Sequence, residues 1–146
     1  MNLFRKLMKN PIGLVKRITF KYFIGPSKYG TNQGYEAEQY WKDRFDHYGE
    51  DIKGPGEEGL TRAENEKMYQ EASDKLFKLF LKHQINLETT QFLEVGIGNG
   101  YYTQLLNQKG LKNYTGLDIT ESLFEEHQKI NPGYIFHKGD LSEKAL

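Results

Sequence analysis

The chain has 146 residues, among them 20 basic and 20 acidic side chains, and it contains no cysteine. Its length predicts a single domain. The absence of cysteine excludes a disulfide scaffold or a cysteine-based metal site and suits a reducing compartment. No apolar run approaches the roughly 18 residues that a membrane-spanning helix requires. The histidines show no ligand spacing, so we expect no metal site and interpret all of them as surface or packing residues: His47, His83, His127 and His137.

The zero net charge conceals a strongly basic N-terminal segment. Residues 1–35 contain seven Lys and Arg side chains and no acid, whereas the remainder has 13 basic and all 20 acidic residues. A basic amphipathic segment predicts either contact with an anionic membrane surface or packing on the acidic remainder, and the sequence leaves both open. Its apolar residues recur at helical spacing, at Leu3, Phe4 and Leu7 and then at Ile12, Val15, Ile18 and Phe23.

The same segment lacks the unbroken apolar core and the small-residue cleavage site of a secretory signal. We therefore expect a cytoplasmic protein, located at the inner face of the membrane if the segment binds lipid, and we expect no nucleic acid partner. Residues 25–34 have the composition of turns. Residues 1–34 are accordingly predicted to be an N-terminal segment that ends in a linker.

Two helices are predicted in residues 35–86. The first has an apolar face that includes Trp41 and Phe45 and ends near Gly49. Residues 50–60 are rich in glycine, proline and acids, which predicts an exposed, mobile loop. Thr61 and Glu64 have the spacing of a capping box and begin a long helix that runs to about residue 83. Its predicted buried stripe consists of Met68, Ala72, Leu76, Leu79 and Phe80.

A short apolar strand, a glycine-rich loop and a helix follow at residues 91–109. The strand contains Glu94, whose burial is costly without a partner. The loop contains Gly96, Gly98 and Gly100, and glycine lets backbone N–H groups approach a ligand. This order is typical of a nucleotide-cofactor cradle. A dinucleotide fingerprint requires glycine at position 101, where this chain has tyrosine.

Two further predicted strands also end in acids. Asp118 lies 18 residues after Gly100, close to the spacing expected for a ribose-binding carboxylate, although it also suits a helix N-cap. Asp140 follows the third strand and is interpreted either as a ligand contact or as part of a Gly-Asp turn. Between them, Ser122 and Glu125 predict a second capping box. The β-α-β-α-β order predicts a parallel sheet with its site at the carboxyl ends of the strands.

An acid followed by G-x-G-x-G resembles motif I of the class I S-adenosylmethionine-dependent methyltransferases, and the resemblance extends over about residues 92–141. It implies an α/β fold, namely a partial Rossmann-like sheet at 87–146 preceded by N-terminal helices, with a helical cap at 35–86. In such a fold Trp41 either packs between helices or covers the cofactor. The implied cofactor is S-adenosyl-L-methionine. The implied contacts are Glu94, Gly96, Gly98 and Gly100 with the methionine end, Asp118 with the ribose, Ile119 beside the adenine, and Asp140 and Leu141 with the adenine edge.

The resemblance implies methyl transfer to a small-molecule or glycan-type acceptor. That acceptor class is suggested by the likeness of residues 38–44 and 114–120 to bacterial enzymes that modify surface glycans or small molecules. A full catalytic domain of this family has about seven strands, so we expect this chain to supply the cofactor-binding half. No catalytic residue and no oligomeric state can be assigned. The alternatives are a non-catalytic Rossmann-like interaction module and an NAD-binding fragment.

Overall fold

The structure is a computed structural model that describes residues 11–31, 34–57 and 59–141. The predicted apolar face at Leu3, Phe4 and Leu7 lies outside these residues. No helix within the described ranges is long and apolar enough to cross a membrane. The helices are α1 (Pro11–Thr19), α2 (Gly25–Tyr29), α3 (Ala37–Tyr48), α4 (Arg62–Lys82), α5 (Tyr101–Gln108) and α6 (Phe124–Ile130), with a π-helical turn (Phe20–Ile24) between α1 and α2. The strands are β1 (Gln91–Val95), β2 (Asn113–Asp118) and β3 (Ile135–Lys138).

The three strands form one parallel sheet in the order β1-β2-β3. Gln91 is aligned with Asn113, and Thr115 is aligned with Ile135. Both connections contain a helix, as parallel neighbours require. The predicted β-α-β-α-β order and parallel sheet are confirmed, and they are compatible with a partial Rossmann-like fold.

The core lies on one face of this sheet. Stacked aromatic rings cross it: the Tyr114 ring lies 6.3 Å from that of Phe92 and 4.5 Å from that of Tyr134. Leu106 of α5 and Leu111 complete the buried cluster. Because side chains alternate along a strand, the opposite face carries its own apolar residues. Those at Leu93, Val95 and Ile135 are more than half exposed.

Helix α4 forms with the predicted capping box, in which the Thr61 hydroxyl accepts a hydrogen bond from the Glu64 backbone at 3.2 Å. The predicted buried stripe is wrong at Met68, Ala72 and Leu79, which are exposed, whereas Leu76 is half-buried and Phe80 packs against the core. The inward face instead includes two fully buried polar residues, Asn65 and Ser73. Asn65 donates to the Glu57 carbonyl at 3.0 Å and Ser73 to the Tyr69 carbonyl at 2.8 Å. These bonds allow the polar groups to be buried at little cost.

The segment at residues 50–60 was predicted to be an exposed, mobile loop, and the predicted exposure is wrong for most of its described residues, which are buried or half-buried. Ile52 is buried, and the guanidinium of Arg44 in α3 forms hydrogen bonds with several backbone carbonyls of the loop. Arg44 donates to the carbonyls of Lys53 at 3.0 Å and Gly56 at 2.9 Å, and also to that of Gly54. A single planar side chain with five N–H donors thus organises a segment whose composition indicates disorder.

Two other local predictions are wrong. Residues 25–29 are helical rather than linker, since the Tyr29 ring packs edge-on to Tyr40 at 5.2 Å and its hydroxyl donates to Asp43. The second capping box does not form, because α6 begins at Phe124 without a side-chain cap. Thr120 instead accepts a hydrogen bond from the Ser122 backbone at 3.1 Å.

We expect Arg44→Ala to lower the free energy of unfolding by about 2 kcal/mol, because it removes charged donors from several loop carbonyls at once. Urea denaturation measures the change. Lys42→Ala is the matched control on the same helix; it removes only an exposed pair with Asp46 and should cost less than about 0.5 kcal/mol. Equal losses in the two variants would contradict the account of this loop.

Candidate functional site

A cavity of about 270 Å³ lies at the carboxyl edge of the sheet, where the segments after all three strands meet. This is the edge at which open parallel sheets bind ligands. The volume is close to the lower end of the roughly 300–1,000 Å³ typical of small-molecule sites. The lining residues are Trp41, Phe45, Pro55, Val95, Gly96, Gly98, Leu117, Asp118, Ile119, Gly139, Asp140 and Leu141.

The glycine-rich loop forms one wall of the cavity. Its first turn is fixed to β2, because the Gly96 N–H donates to the Leu117 carbonyl at 2.8 Å. Gly98 and Gly100 have φ values of +57° and +74°, in the left-handed region that favours glycine. At Gly100 there is also no room for a side chain, since an added Cβ would lie 2.5 Å from Cε1 of His127. The loop therefore requires glycine for both its conformation and its packing.

Asp118 connects the segments that follow the three strands. One carboxylate oxygen accepts the Gly98 N–H and the other accepts the Thr120 N–H, both at 3.0 Å. Its backbone carbonyl accepts the Gly139 N–H at 2.8 Å. A carboxylate has about four acceptor positions, so these two bonds leave capacity for further donors. Asp118 is buried yet still lines the cavity, as a ligand-binding carboxylate should.

Six of the eight predicted cofactor-binding residues line this one cavity: Gly96, Gly98, Asp118, Ile119, Asp140 and Leu141. Glu94 and Gly100 do not line it. Gly100 lies behind the loop, against the His127 ring.

Glu94 belongs to the core face of the sheet. Its Oε2 atom accepts hydrogen bonds from the Tyr114 hydroxyl at 2.6 Å and the Thr103 hydroxyl at 3.2 Å. Burial raises the pKa of this carboxyl to about 7, although the two hydroxyl donors act in the opposite direction, and the negative charge of Asp118 raises it further. The buried Glu94 carboxylate is therefore stabilised by two hydroxyl groups of the protein, those of Tyr114 and Thr103.

His127 is the functional neighbour that the sequence did not reveal. Its ring is buried behind the glycine loop, and Nε2 lies 3.1 Å from the Gly98 carbonyl. A carbonyl only accepts, so Nε2 carries a hydrogen and donates it. Among the described residues Nδ1 has no hydrogen-bond partner. No spacing pattern marks this histidine, and the interpretation as a packing residue agrees with its position, although its support of the loop was not foreseen.

The charge of the cavity lining is one-sided. Two carboxylates, Asp118 and Asp140, line it together with apolar and glycine residues, and its described lining contains no Lys or Arg. Two stacked aromatic rings, Trp41 and Phe45, cover it from α3 with centroids 5.7 Å apart. The carboxylates favour a cationic ligand and disfavour an anionic one.

A larger cavity of about 430 Å³ lies between α1 and α3. Its lining is mostly apolar and aromatic and includes the basic residues Arg17, Lys21 and Arg44, of which Arg44 binds loop carbonyls and Arg17 forms an ion pair with Glu57 at 2.7 Å. These groups hold the fold together, so we place the candidate site at the sheet edge. Within the described ranges, no three His, Cys, Asp or Glu side chains are arranged to hold a metal ion.

No family model and no solved structure matches this chain. It is 31% identical over 92 residues to a Methanocaldococcus jannaschii protein named "putative protein N5-glutamine methyltransferase". The match covers 60% of this chain and 46% of that protein, so the chain spans about half the length of the curated relative it matches. The similarity supports a relation to methyltransferases.

We expect Gly100→Ala to destabilise the protein far more than Gly110→Ala. Both residues have a positive φ, which costs alanine about 1–2 kcal/mol. Only at position 100 would the new Cβ also clash with His127, which adds about 1–3 kcal/mol. Thermal or urea unfolding measures the difference, and equal destabilisation would show that the loop does not rest on His127.

We expect the stability gained from Glu94→Gln to grow with pH. The carboxyl has a pKa of about 7 in the folded protein against an ordinary value of 4.5. Below pH 4.5 it is protonated in both states and costs nothing. As the pH rises to 7 the unfolded chain ionises first, so the folded protein loses up to about 3 kcal/mol.

Urea unfolding at pH 5 and pH 8 tests this dependence. Glutamine cannot ionise, so the free energy of unfolding of the variant, relative to that of the wild type, should be higher at pH 8 than at pH 5. Glu71→Gln, at an exposed position on α4, is the control and should stay within about 0.5 kcal/mol of the wild type at both. A Glu94→Gln difference that is the same at both pH values would contradict the buried, raised-pKa carboxyl.

Proposed function

We propose that this chain is the cofactor-binding part of an S-adenosylmethionine-dependent methyltransferase. The observation that carries the proposal is the cavity at the carboxyl edge of the sheet, which has a glycine-rich wall and two carboxylates and, among the described lining residues, no basic side chain. The sequence similarity to a methyltransferase supports it independently.

The lining residues fit S-adenosylmethionine. Asp118 has acceptor capacity for the ribose hydroxyls, and Ile119 and Leu141 supply apolar surface for the adenine. Asp140 also lines the cavity, and the family resemblance implies that it accepts a hydrogen bond from the adenine amino group. The open backbone at Gly96, where an added Cβ would meet nothing within 4 Å, leaves room for the methionine end.

The bound cofactor would supply an electrophilic methyl group on a positively charged sulfur. The chain's own contribution is to bind, orient and enclose it. Trp41 and Phe45, stacked on each other, supply an apolar wall of the cavity that would help to orient the bound cofactor. Methyl transfer by in-line attack depends chiefly on such positioning. Glu94 lies outside the cavity, so in this proposal it acts only through its charge and its support of β1.

The same features disfavour the NAD-binding alternative. A pyrophosphate needs exposed N–H donors, and the Gly98 N–H is already bonded to Asp118. Two carboxylates in the lining would also repel a dianionic group. The non-catalytic interaction module predicts no small-molecule binding at all, so one binding experiment separates the three possibilities.

The name of the archaeal relative bears on the acceptor. It favours the side-chain amide nitrogen of a protein glutamine over the glycan or small-molecule acceptor expected from the sequence. We therefore propose a protein glutamine as the first acceptor to test in any methyl-transfer assay. The relative extends well beyond the matched region, and the groups that would select an acceptor are not assigned to residues of this chain.

Calorimetric titration of S-adenosylhomocysteine into the folded chain tests the proposal, with NAD as the control ligand. We expect saturable binding of the first and none of the second. Asp118→Asn should weaken binding roughly 10- to 100-fold, because it removes a charged acceptor worth about 1–3 kcal/mol. Asp74→Asn, on the exposed face of α4, should leave the affinity unchanged.

Circular dichroism of each variant confirms that it is folded. Binding of NAD in preference to S-adenosylhomocysteine would establish the dinucleotide alternative. A folded chain that binds neither ligand would overturn the cofactor-binding proposal.

A further inference from the structure

The segment from α1 through the π-helical turn turns an apolar face to solvent. We define the N-terminal apolar face as Ile12, Val15, Ile18, Tyr22, Phe23 and Ile24. Steps of three and four residues bring most of these side chains to one side of the helix. Their exposed fractions are 71%, 60%, 45%, 62%, 69% and 50% in that order. A patch of this size and continuity is uncommon on a protein surface unless it contacts something.

The other side of the same segment is already in use. Leu14, Arg17 and Phe20 line the 430 Å³ cavity between this segment, α3 and the loop after it, and Ile18, Lys21 and Tyr22 border the same cavity. The Arg17 ion pair with Glu57 fixes this orientation. With the segment in this orientation, Ile12, Val15, Phe23 and Ile24 lie outside the cavity and remain exposed.

The charged side chains of the segment itself are all positive, and Arg17 among them pairs with the carboxylate of Glu57. Lys16 and Lys21 are exposed beside the apolar face, and within the described residues no carboxylate forms an ion pair with either. No acidic residue occurs anywhere from position 1 to position 35, which carries seven positive charges. The segment thus combines an apolar face with charged side chains of its own that are all cationic.

We propose that the N-terminal apolar face binds the surface of an anionic lipid bilayer. The apolar side chains enter the boundary between headgroups and acyl chains, and the lysines contact acidic headgroups. This inference does not depend on the cofactor site. A second copy of the chain fits poorly, because two such faces would bring like charges together. A nucleic acid would use the lysines but would gain nothing from four exposed aliphatic side chains.

Co-sedimentation of the purified chain with vesicles tests the proposal. Vesicles of phosphatidylcholine with about one third phosphatidylglycerol should bind the chain, and pure phosphatidylcholine vesicles should bind it far more weakly. Added salt should weaken binding to the anionic vesicles. Lys16→Gln with Lys21→Gln should reduce the partition coefficient roughly 25-fold, about five-fold for each lysine.

A triple variant tests the apolar contribution. Ile12→Ala, Val15→Ala and Phe23→Ala keep every charge and a high helix propensity, and together they should reduce partitioning by about ten-fold or more. Met68→Ala, Leu79→Ala and Leu81→Ala form the matched control, since they remove exposed apolar side chains from α4. Lys75→Gln with Lys78→Gln is the matched charge control on that helix. Both controls should bind as the wild type does.

Several outcomes would overturn the proposal. One is failure to bind anionic vesicles, and another is binding that the α4 controls weaken as much as the test variants do. A concentration-dependent dimer, detected by light scattering and abolished by the triple variant, would assign the face to a second copy. Binding of single-stranded DNA without any vesicle binding would assign the charge to a polyanion.

Discussion

The candidate site depends on the carboxylate of Asp118. It accepts N–H groups from the glycine loop after β1 and from Thr120 after β2, while its backbone carbonyl accepts from Gly139 after β3. The three segments that follow the strands at the cavity are therefore held by one residue. Loss of these bonds would free the loop from the sheet edge, so Asp118 contributes both to the shape of the cavity and, with Asp140, to its negative charge.

Support for the site extends outward in two layers. Behind the glycine loop, the His127 ring occupies the space that a side chain at Gly100 would fill and donates to the Gly98 carbonyl. In front of it, Arg44 folds the loop after α3 so that Pro55 joins the cavity wall. Helix α3 thus contributes Trp41 and Phe45 to the cavity lining and Arg44 to the hydrogen bonds that hold the loop.

The sheet, its connections and most of the candidate site could be predicted from the sequence, because they follow from local patterns. The strand, glycine turn and helix around Gly98 specify their own geometry, and Asp118 follows at a regular spacing. Long-range polar contacts could not be predicted. The Arg44 contacts with loop carbonyls and the satisfied burial of Asn65 in α4 depend on groups eight or more residues away in the chain. Glu94 was expected at the cofactor, and its alternation with Val95 along β1 instead directs it to the core.

The central claim is that the cavity at the sheet edge binds S-adenosylmethionine or its product. The most direct measurement is a set of ¹⁵N–¹H correlation spectra of the chain titrated with S-adenosylhomocysteine. The account predicts saturable shifts of the amides of Gly96, Gly98, Ile119 and Gly139, and no such shifts with NAD. Shifts confined to residues outside the cavity, or the same shifts with both ligands, would contradict it.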